Sequence, residues 1–251
     1  MFKYIKRYID SSLKHIYRES WLSLFKVWRK YLKDYIEIRR NHHKNSKFEL
    51  IPSYPCISDN IDTSGEFGRY VYQDSWAYKH LLNVKPKKLV DIASSTYFVA
   101  FAAQCTKVES VDIRLLKAKL PSIKSIRGDI LNLPYKNKSV EAISSLSVIE
   151  HIGLGRYGDK INIDGMKGAI NEMKRVLSLK GMMLVAFPVG KESIIHFNAH
   201  RICTPELVYE MFSDLNIKDE KYALRDEIVS KERFEKLKRP YSYGCYYLSR
   251  E

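Results

Sequence analysis

The chain has 251 residues, 45% of them hydrophobic, which is enough for one globular domain with an appendage and too little for two large domains. Its formal net charge is +14, and residues 1–45 alone carry +8, with twelve Lys or Arg against four Asp or Glu. The four cysteines are widely spaced, which argues against a zinc site or a disulfide framework, and charges interrupt every apolar run before it reaches the roughly 20 residues that span a bilayer.

The first predicted element is a basic amphipathic helix over residues 2–38, followed by a polar break over residues 39–47. We therefore predict a helical extension at 1–47 and a second domain at 48–251. Three roles for the extension stay open: packing on the domain or on another subunit, peripheral attachment of residues 1–45 to an anionic membrane, and contact with nucleic acid. Its apolar face consists of Trp21, Leu24, Phe25, Trp28, Tyr31, Leu32 and Tyr35.

From Tyr70 onward, short apolar strands alternate with helical stretches. Such alternation predicts an α/β fold, a mostly parallel sheet with helices on both faces. Sheets of this kind bind ligands at the carboxyl ends of their strands. The predicted strands are 88–93, 108–113, 140–146, 181–187 and 241–248, and the predicted helices are 97–105, 168–179 and one that begins after Thr204.

Three aspartates stand where successive strands end. Asp91 lies in the first strand, Asp112 lies at the tip of the second, and Asp129 follows in the segment Arg127-Gly-Asp. A carboxylate at this edge accepts hydrogen bonds from both ribose hydroxyls of a nucleoside, and Asp112 is placed for that task. Three carboxylates in register favour a nucleoside site over three unrelated solvated strand ends.

Several motifs resemble those of a known enzyme family. The segments Asp129-Ile-Leu-Asn-Leu-Pro-Tyr, Lys138-Ser-Val-Glu-Ala-Ile and Ser147-Val-Ile-Glu-His are similar to the central signature of class I S-adenosylmethionine-dependent methyltransferases. The stretch Glu172-Met-Lys-Arg-Val-Leu resembles that family's helix before the fifth strand. The resemblance covers roughly residues 70–215. It implies a Rossmann-like class I methyltransferase fold, with an N-terminal helical extension here, and S-adenosylmethionine as the cofactor.

The resemblance also implies which residues bind the cofactor. Its amino-acid end is expected at the first loop, its ribose at the second strand and its adenine after the third aspartate. The implied cofactor-binding residues are Asp91, Ala93, Ser94, Ser95, Asp112, Ile113, Asp129, Ile130 and Ser147.

The first loop departs from the family pattern D-x-G-x-G-x-G. Ala93 and Ser95 stand where glycine is expected, and both residue types disfavour a left-handed backbone. A non-catalytic protein that retains the fold therefore stays open as an alternative.

A second group of motifs points to the acceptor. The segments Phe187-Pro-Val-Gly-Lys, His196-Phe-Asn-Ala-His-Arg-Ile and Gly153-Leu-Gly-Arg-Tyr-Gly-Asp resemble an incompletely characterised methyltransferase subgroup that occurs among bacterial surface-polysaccharide genes. This resemblance implies O-methylation of a sugar hydroxyl in capsule or lipopolysaccharide synthesis, on a nucleotide-linked, lipid-linked or polymeric saccharide. The implied acceptor-binding residues are Arg156, Tyr157, Asn198 and Arg201.

Transfer of a methyl group to a hydroxyl requires a base, and histidine accepts protons near neutral pH. His151 and His200 are the candidate catalytic bases. No tight acidic cluster is visible, so no metal site is predicted. Methyl transfer to RNA or a small metabolite stays open, although the missing [DNS]-P-P-[YF] signature weakens the nucleic-acid alternative. The absence of an apolar signal sequence after the basic start predicts a cytoplasmic protein, or one at the inner face of the membrane if the extension binds lipid.

Overall fold

The computed structural model describes residues 21–42, 47, 49–51, 67–117, 119–237 and 240–251. The chain divides into two compact units, residues 1–65 and residues 66–251. The predicted boundary between residues 47 and 48 stays a prediction. Within the described residues, no helix is both long and apolar enough to cross a membrane.

The described helix of the first unit is α1 (Trp21–Asn41). The part of the predicted helix before Trp21 lies outside the described residues. At its other end α1 continues three residues beyond the predicted end at residue 38. Its last turn carries Arg39 and Arg40, whose positive charges interact favourably with the negative end of the helix dipole.

The second unit contains five helices and ten strands within its described residues. The helices are α2 (Gly68–Val84), α3 (Thr96–Ala102), α4 (Gly165–Val176), α5 (Pro205–Met211) and α6 (Lys231–Lys236). The strands are β1 (Lys88–Ile92), β2 (Lys107–Asp112), β3 (Ile123–Arg127), β4 (Val140–Leu146), β5 (Leu177–Gly190), β6 (Ile194–His196), β7 (His200–Ile202), β8 (Asn216–Ala223), β9 (Ile228–Val229) and β10 (Tyr241–Ser249).

Eight of these strands form one sheet in the order β3-β2-β1-β4-β5-β10-β8-β9. Strands β3, β2, β1, β4 and β5 pair in parallel, whereas β10 runs antiparallel to both β5 and β8. The chain leaves β1 toward β2 on one side and later returns to β4 on the other. This change of direction opens a crevice at the carboxyl ends of β1 and β4.

Both faces of the sheet are covered, as predicted. Alternation along β1 sends Val90 and Ile92 into one core and Leu89 into the other. The first core includes Met173 of α4 and the second includes Phe98 of α3. The α/β fold with a mostly parallel sheet and helices on both faces is therefore confirmed.

Several predicted bounds differ from the structure, most of them by one to three residues. The helix predicted at 168–179 begins at Gly165 and ends at Val176. Residues 177–179 instead begin β5, where Leu177 pairs with Val140 of β4. The strand predicted to end at Phe187 continues to Gly190, because its partner β10 extends the pairing to Tyr241.

Candidate active site

A cavity of about 660 Å³ lies at the carboxyl ends of β1, β2 and β4. It is the crevice expected from the strand order, and it contains residues of both predicted groups, cofactor-binding and acceptor-binding. The predicted residues that line it are Ala93, Asp112, Ile113, Asp129, Ile130, Ser147, His151 and Tyr157.

Asp91 lies beneath the first loop. It is fully buried, with Oδ1 accepting a hydrogen bond from Ser144 Oγ (2.7 Å) and Oδ2 accepting one from the Ser94 amide (3.2 Å). Burial raises the pKa of Asp91 to about 6, against the opposing effect of these hydrogen bonds. Asp91 does not line the cavity; its contacts hold the loop that does.

The first loop adopts the conformation that its sequence disfavours. Ala93 lines the cavity with φ at 52°, and its amide donates to Val111 O (3.0 Å). A left-handed alanine costs about 1–2 kcal/mol, so the surrounding hydrogen bonds must hold it in place. Ser94 Oγ accepts from the Leu146 amide (3.0 Å), and Ser95 caps α3 by accepting from the Phe98 amide (3.0 Å). The two serines thus fix the loop to β4 and α3.

Two carboxylates lie on the neighbouring wall. Asp112 Oδ1 accepts from the Arg114 amide (2.8 Å), and Asp129 Oδ1 accepts from the Leu131 amide (2.9 Å). Each carboxylate therefore fixes the turn that follows it, while its residue lines the cavity. Ile130 is buried, and Ile113 is exposed at the cavity edge.

Ser147 is held from the side of α2. Its φ is 58°, its amide donates to Ala186 O (2.7 Å), and its Oγ donates to Gln73 Oε1 (2.8 Å). Gln73 is buried in α2. Gln73 was not among the predicted site residues, because α2 itself was not predicted.

His151 lies in a short 3₁₀ turn, Ile149–His151, directly after β4. Its Nδ1 is in hydrogen-bond contact with Ala199 O, and because a carbonyl oxygen only accepts, Nδ1 carries the proton. In the neutral ring Nε2 therefore carries the lone pair. Burial lowers the pKa of His151, and the positive charge of Arg156 lowers it further. The arrangement favours a neutral imidazole that accepts a proton at Nε2.

The carboxyl group of Glu150 lies next to His151, with Oε1 3.6 Å from His151 Nε2. Its side chain is fully buried, and neither carboxyl oxygen has a hydrogen-bond partner among the described residues. Burial raises the pKa of Glu150 to about 8. The carboxyl group is therefore protonated and uncharged at neutral pH.

We expect Glu150→Gln to remove a pH dependence of stability. Folded Glu150 keeps its proton up to about pH 8, whereas the unfolded chain releases it near the ordinary value of 4.5. The contribution of Glu150 protonation to the stability of the fold is thus fully present below pH 4.5 and is lost as the pH rises toward 8. As the pH rises across that window, the free energy of unfolding of the variant should increase relative to that of the wild type by on the order of 1 kcal/mol per pH unit.

Urea unfolding at several pH values measures this difference. Glu192→Gln, which removes an exposed carboxyl group, is the matched control and should run parallel to the wild type. Parallel profiles for Glu150→Gln and the wild type would contradict a buried neutral Glu150.

The hairpin β6–β7 brings His200 next to His151. The ring centroids of these two histidines are 6.5 Å apart, and His200 Nε2 is buried without a hydrogen-bond partner among the described residues. Burial lowers the pKa of His200, and nearby positive charges add to this effect. His200 does not line the cavity, so of the two candidate bases His151 has the more direct access.

The other predicted acceptor-binding residues differ in their placement. Asn198 is exposed at the hairpin turn, with φ at 59°. Arg156 donates from Nη1 to Ala199 O (3.2 Å), and its Cζ lies 5.2 Å from the centre of the Tyr157 ring. Tyr157 and Arg156 thus lie beside His151, at the mouth of the cavity.

Arg201 is placed differently from its predicted contact with the acceptor. Its side chain is buried, and its guanidinium donates to four backbone carbonyls. The acceptors are Glu150 O (3.3 Å), Ile152 O (2.7 Å), Asn162 O (3.2 Å) and Ile163 O (3.1 Å). Arg201 therefore positions the loop that forms one wall of the cavity.

Asp159 holds the same loop from inside. Its carboxylate accepts from the amides of Gly153 (2.7 Å), Gly155 (3.3 Å) and Tyr157 (3.2 Å). Gly153 has φ at 82°, and a Cβ there would lie 2.0 Å from Asn162 O, so the close approach requires glycine. The motif Gly153-Leu-Gly-Arg-Tyr-Gly-Asp thus encodes a tight loop that carries Arg156 and Tyr157.

Comparisons with known proteins bear on the family and the fold. Residues 98–229 match the family described as "Caenorhabditis protein of unknown function, DUF268". Comparison with curated protein sequences finds no matching relative.

Two solved structures are similar to this chain in fold. A geranyl diphosphate C-methyltransferase from Streptomyces coelicolor A3(2), solved with S-adenosyl-L-homocysteine, superposes with a TM-score of 0.50 over 70% of this chain and 79% of that chain, at 11% identity. A geranyl diphosphate methyltransferase solved with sinefungin gives a TM-score of 0.52 over 70% and 78%, at 13% identity. Likeness at these identities concerns the fold alone, and it confirms the predicted Rossmann-like methyltransferase fold.

Proposed function

This chain belongs to the DUF268 family, and because the description of that family assigns no activity, we propose a function from the site itself. We propose that the protein is an S-adenosylmethionine-dependent O-methyltransferase that acts on a sugar hydroxyl. The observation that carries the proposal is the presence of Asp112 and a neutral His151 in one cavity. A nucleoside-binding carboxylate and a proton acceptor are the two groups that such a reaction requires of the protein.

The cavity fits the proposed cofactor in size and in chemistry. A volume of about 660 Å³ is in the range of small-molecule sites. Both Asp112 and Asp129 line the cavity, and we propose that Asp112 accepts from the ribose hydroxyls and Asp129 from the exocyclic amine of adenine. The left-handed turn at Ala93 brings backbone rather than a long side chain to the cavity wall. When bound, S-adenosylmethionine supplies an activated methyl group.

The protein's own contribution is alignment and proton removal. With Nδ1 bonded to Ala199 O, His151 has its Nε2 lone pair available for the proton of an acceptor hydroxyl. Because the pKa of His151 is lowered, the ring is in its accepting form at neutral pH. A general base of this kind typically contributes on the order of 10²–10⁴-fold to a rate.

The surroundings of His151 favour a polar, ring-shaped acceptor. Tyr157 offers an aromatic face 5.6 Å from the His151 ring centroid, and Arg156 offers hydrogen-bond donors beside it. Asn198 adds an amide at the adjacent hairpin turn. We propose on this basis, and on the motif around the hairpin, that the acceptor is a sugar of a bacterial surface polysaccharide.

The basic extension suits an acceptor at a lipid surface. Residues 1–45 carry a net charge of +8, and Phe25 and Leu32 of α1 are exposed. Peripheral contact of residues 1–45 with an anionic membrane would bring a lipid-linked saccharide within reach. This contact is a proposal, as is a nucleotide-linked form of the acceptor.

Calorimetry with S-adenosylmethionine and S-adenosylhomocysteine tests the proposal. We expect saturable heat with both ligands and a higher melting temperature, since a ligand that binds only the folded state stabilises it. NADH serves as a control nucleotide and should give neither effect. The absence of both heat and thermal shift at millimolar S-adenosylhomocysteine would exclude the enzyme and leave the fold without its cofactor.

A further inference from the structure

Five side chains that can carry positive charge lie close together beside the cavity, and of these five only His151 lines it. They come from separate parts of the sequence and meet around the backbone of Ala199 and the ring of Tyr241. We call them the basic cluster: Arg69, His151, Arg156, His196 and His200.

The contacts within the basic cluster are continuous. Arg69 Cζ lies 5.3 Å from the centre of the Tyr241 ring, and that ring lies 5.8 Å from His200. His200 in turn lies 5.2 Å from His196 and 6.5 Å from His151. On the other side, Ala199 O is contacted by both His151 Nδ1 and Arg156 Nη1. The two arginines therefore flank the histidines.

In the part of the chain that the structure describes, no ionised carboxylate forms an ion pair with a member of the basic cluster. Among the described residues, neither Arg69 nor Arg156 forms an ion pair. Glu150 is the nearest buried carboxyl group, and it is protonated at neutral pH. Asp159 is ionised, but its oxygens accept the amides of its own loop.

Burial, together with the excess of positive charge in the basic cluster, lowers the pKa values of its histidines His200 and His151. Burial is the largest cause of the lowered pKa of His200. The neighbouring His196, Arg156 and Arg69 lower this pKa further. Burial also dominates the lowered pKa of His151, where Arg156 and His200 add to the effect and the Ala199 contact and Asp159 oppose it. Like charges repel in this arrangement, and an anion placed among them would relieve the repulsion.

We propose that the basic cluster binds an anionic group of the acceptor, a phosphate or a carboxylate, next to the hydroxyl that is methylated. Guanidinium groups suit this task because their donors match the oxygen geometry of both anions. The inference rests on the proposed function and narrows its substrate class to charged saccharides. A phosphate would come from a nucleotide-linked or lipid-linked sugar, and a carboxylate would come from an acidic sugar.

Titration calorimetry on the full chain, saturated with S-adenosylhomocysteine and held at constant ionic strength, tests this inference. The probes are pyrophosphate, glucuronate and glucose. We expect one of the two anions to bind and neutral glucose not to bind. Binding of pyrophosphate assigns the anion to a phosphate, and binding of glucuronate assigns it to a carboxylate.

Arg69→Gln and Arg156→Gln should each weaken the binding of that anion by about 10–100-fold, the effect of losing a charge-assisted hydrogen bond. Lys107→Gln, which removes an exposed charge at the amino end of β2, is the matched control and should leave binding unchanged. The affinity for S-adenosylhomocysteine should stay within about threefold in all three variants, a difference well below one such hydrogen bond.

Three results would overturn the inference. Binding of S-adenosylhomocysteine without binding of either anion would mean that the acceptor group is neutral. Loss of S-adenosylhomocysteine affinity in Arg69→Gln or Arg156→Gln would assign the basic cluster to the carboxylate of the cofactor. Equal anion binding in both arginine variants and in Lys107→Gln would mean that the anion responds to the net charge of the protein and not to the basic cluster.

Failure of the proposed function gives a different pattern. If the wild type does not bind S-adenosylhomocysteine, the proposed function fails. The anion titration is then run on the protein alone, and it still decides whether the basic cluster binds anions.

Discussion

Arg201→Met is expected to lower the free energy of unfolding by about 3–5 kcal/mol, since several buried carbonyls would lose a charged donor at once. Arg201 connects the backbone at Glu150 and Ile152 with the backbone at Asn162 and Ile163. Methionine retains most of the aliphatic length and removes all four hydrogen bonds. The lost free energy of unfolding should therefore reflect the four hydrogen bonds and not a void left in the packing.

Urea unfolding followed by circular dichroism measures the effect as a shift of the midpoint at constant slope. Arg201→Lys keeps the charge but loses the planar fork, so its loss should lie between those of Met and the wild type. Arg233→Met is the control, because Arg233 is exposed and pairs with Glu227 at the surface. That control should change stability by at most about 1 kcal/mol. A similarly small loss in Arg201→Met would mean that water replaces the guanidinium at little cost.

The same substitution connects stability to the site. The loop that Arg201 holds contributes Ile152, Gly153 and Asn162 to the cavity wall. Its release should therefore weaken ligand binding as well as folding, whereas Arg233→Met should affect neither. Arg201 was predicted to contact the acceptor because it belongs to the motif His196-Phe-Asn-Ala-His-Arg-Ile and its polar group is suited to sugar hydroxyls. Its hydrogen bonds to four backbone carbonyls could not be predicted from the sequence.

The parallel part of the sheet was predictable because its strands are short, apolar and separated by helices. Asp112 and Asp129 were placed correctly at the cavity for the same reason, since parallel strands end at a common edge. Strand β3 was missed although Asp129 was expected after it. Its sequence Ile123-Lys-Ser-Ile-Arg offers only two apolar residues, as suits an edge strand with partly exposed side chains.

Elements with polar sequences were also missed. Helix α2 mixes aromatic and polar residues, and its contribution to the site, Gln73 and Arg69, depends on contacts with distant Ser147 and Tyr241. Strand β8 is largely charged and becomes a strand because β10 pairs with it. Tertiary pairing outweighs local propensity in such segments.

Ala93 illustrates a limit of pattern matching. The family pattern has glycine at this position because the loop needs a positive φ, and alanine disfavours that conformation. The structure retains the positive φ, with Ser94 and Asp91 fixing the residues on either side. The backbone conformation is thus set by hydrogen bonds to β2 and β4, which a comparison of single positions does not reveal.

Asp112→Ala is expected to weaken the binding of S-adenosylhomocysteine by about 100-fold, the loss of two hydrogen bonds to a charged acceptor. Asp112 lies at the tip of β2 with its Oδ1 fixed by the Arg114 amide. No described residue donates a hydrogen bond to its Oδ2. A carboxylate held by one oxygen at the cavity wall is suited to receive ribose hydroxyls. The site is ready before the ligand arrives, so little ordering cost offsets the interaction.

Asp112→Asn separates geometry from charge in this prediction. The amide retains one acceptor oxygen, so this variant should bind S-adenosylhomocysteine about 10-fold more weakly than the wild type, a loss smaller than that of Asp112→Ala. Glu192→Ala, which removes an exposed carboxylate outside the cavity, should bind normally. Circular dichroism of each variant checks that the protein remains folded after the loss of the Arg114 contact. If Asp112→Ala is folded and binds S-adenosylhomocysteine as tightly as Glu192→Ala does, the nucleoside does not lie over the end of β2. The cavity would then have to bind its ligand through Asp129 and His151, and the proposed path of the cofactor across the sheet would be wrong.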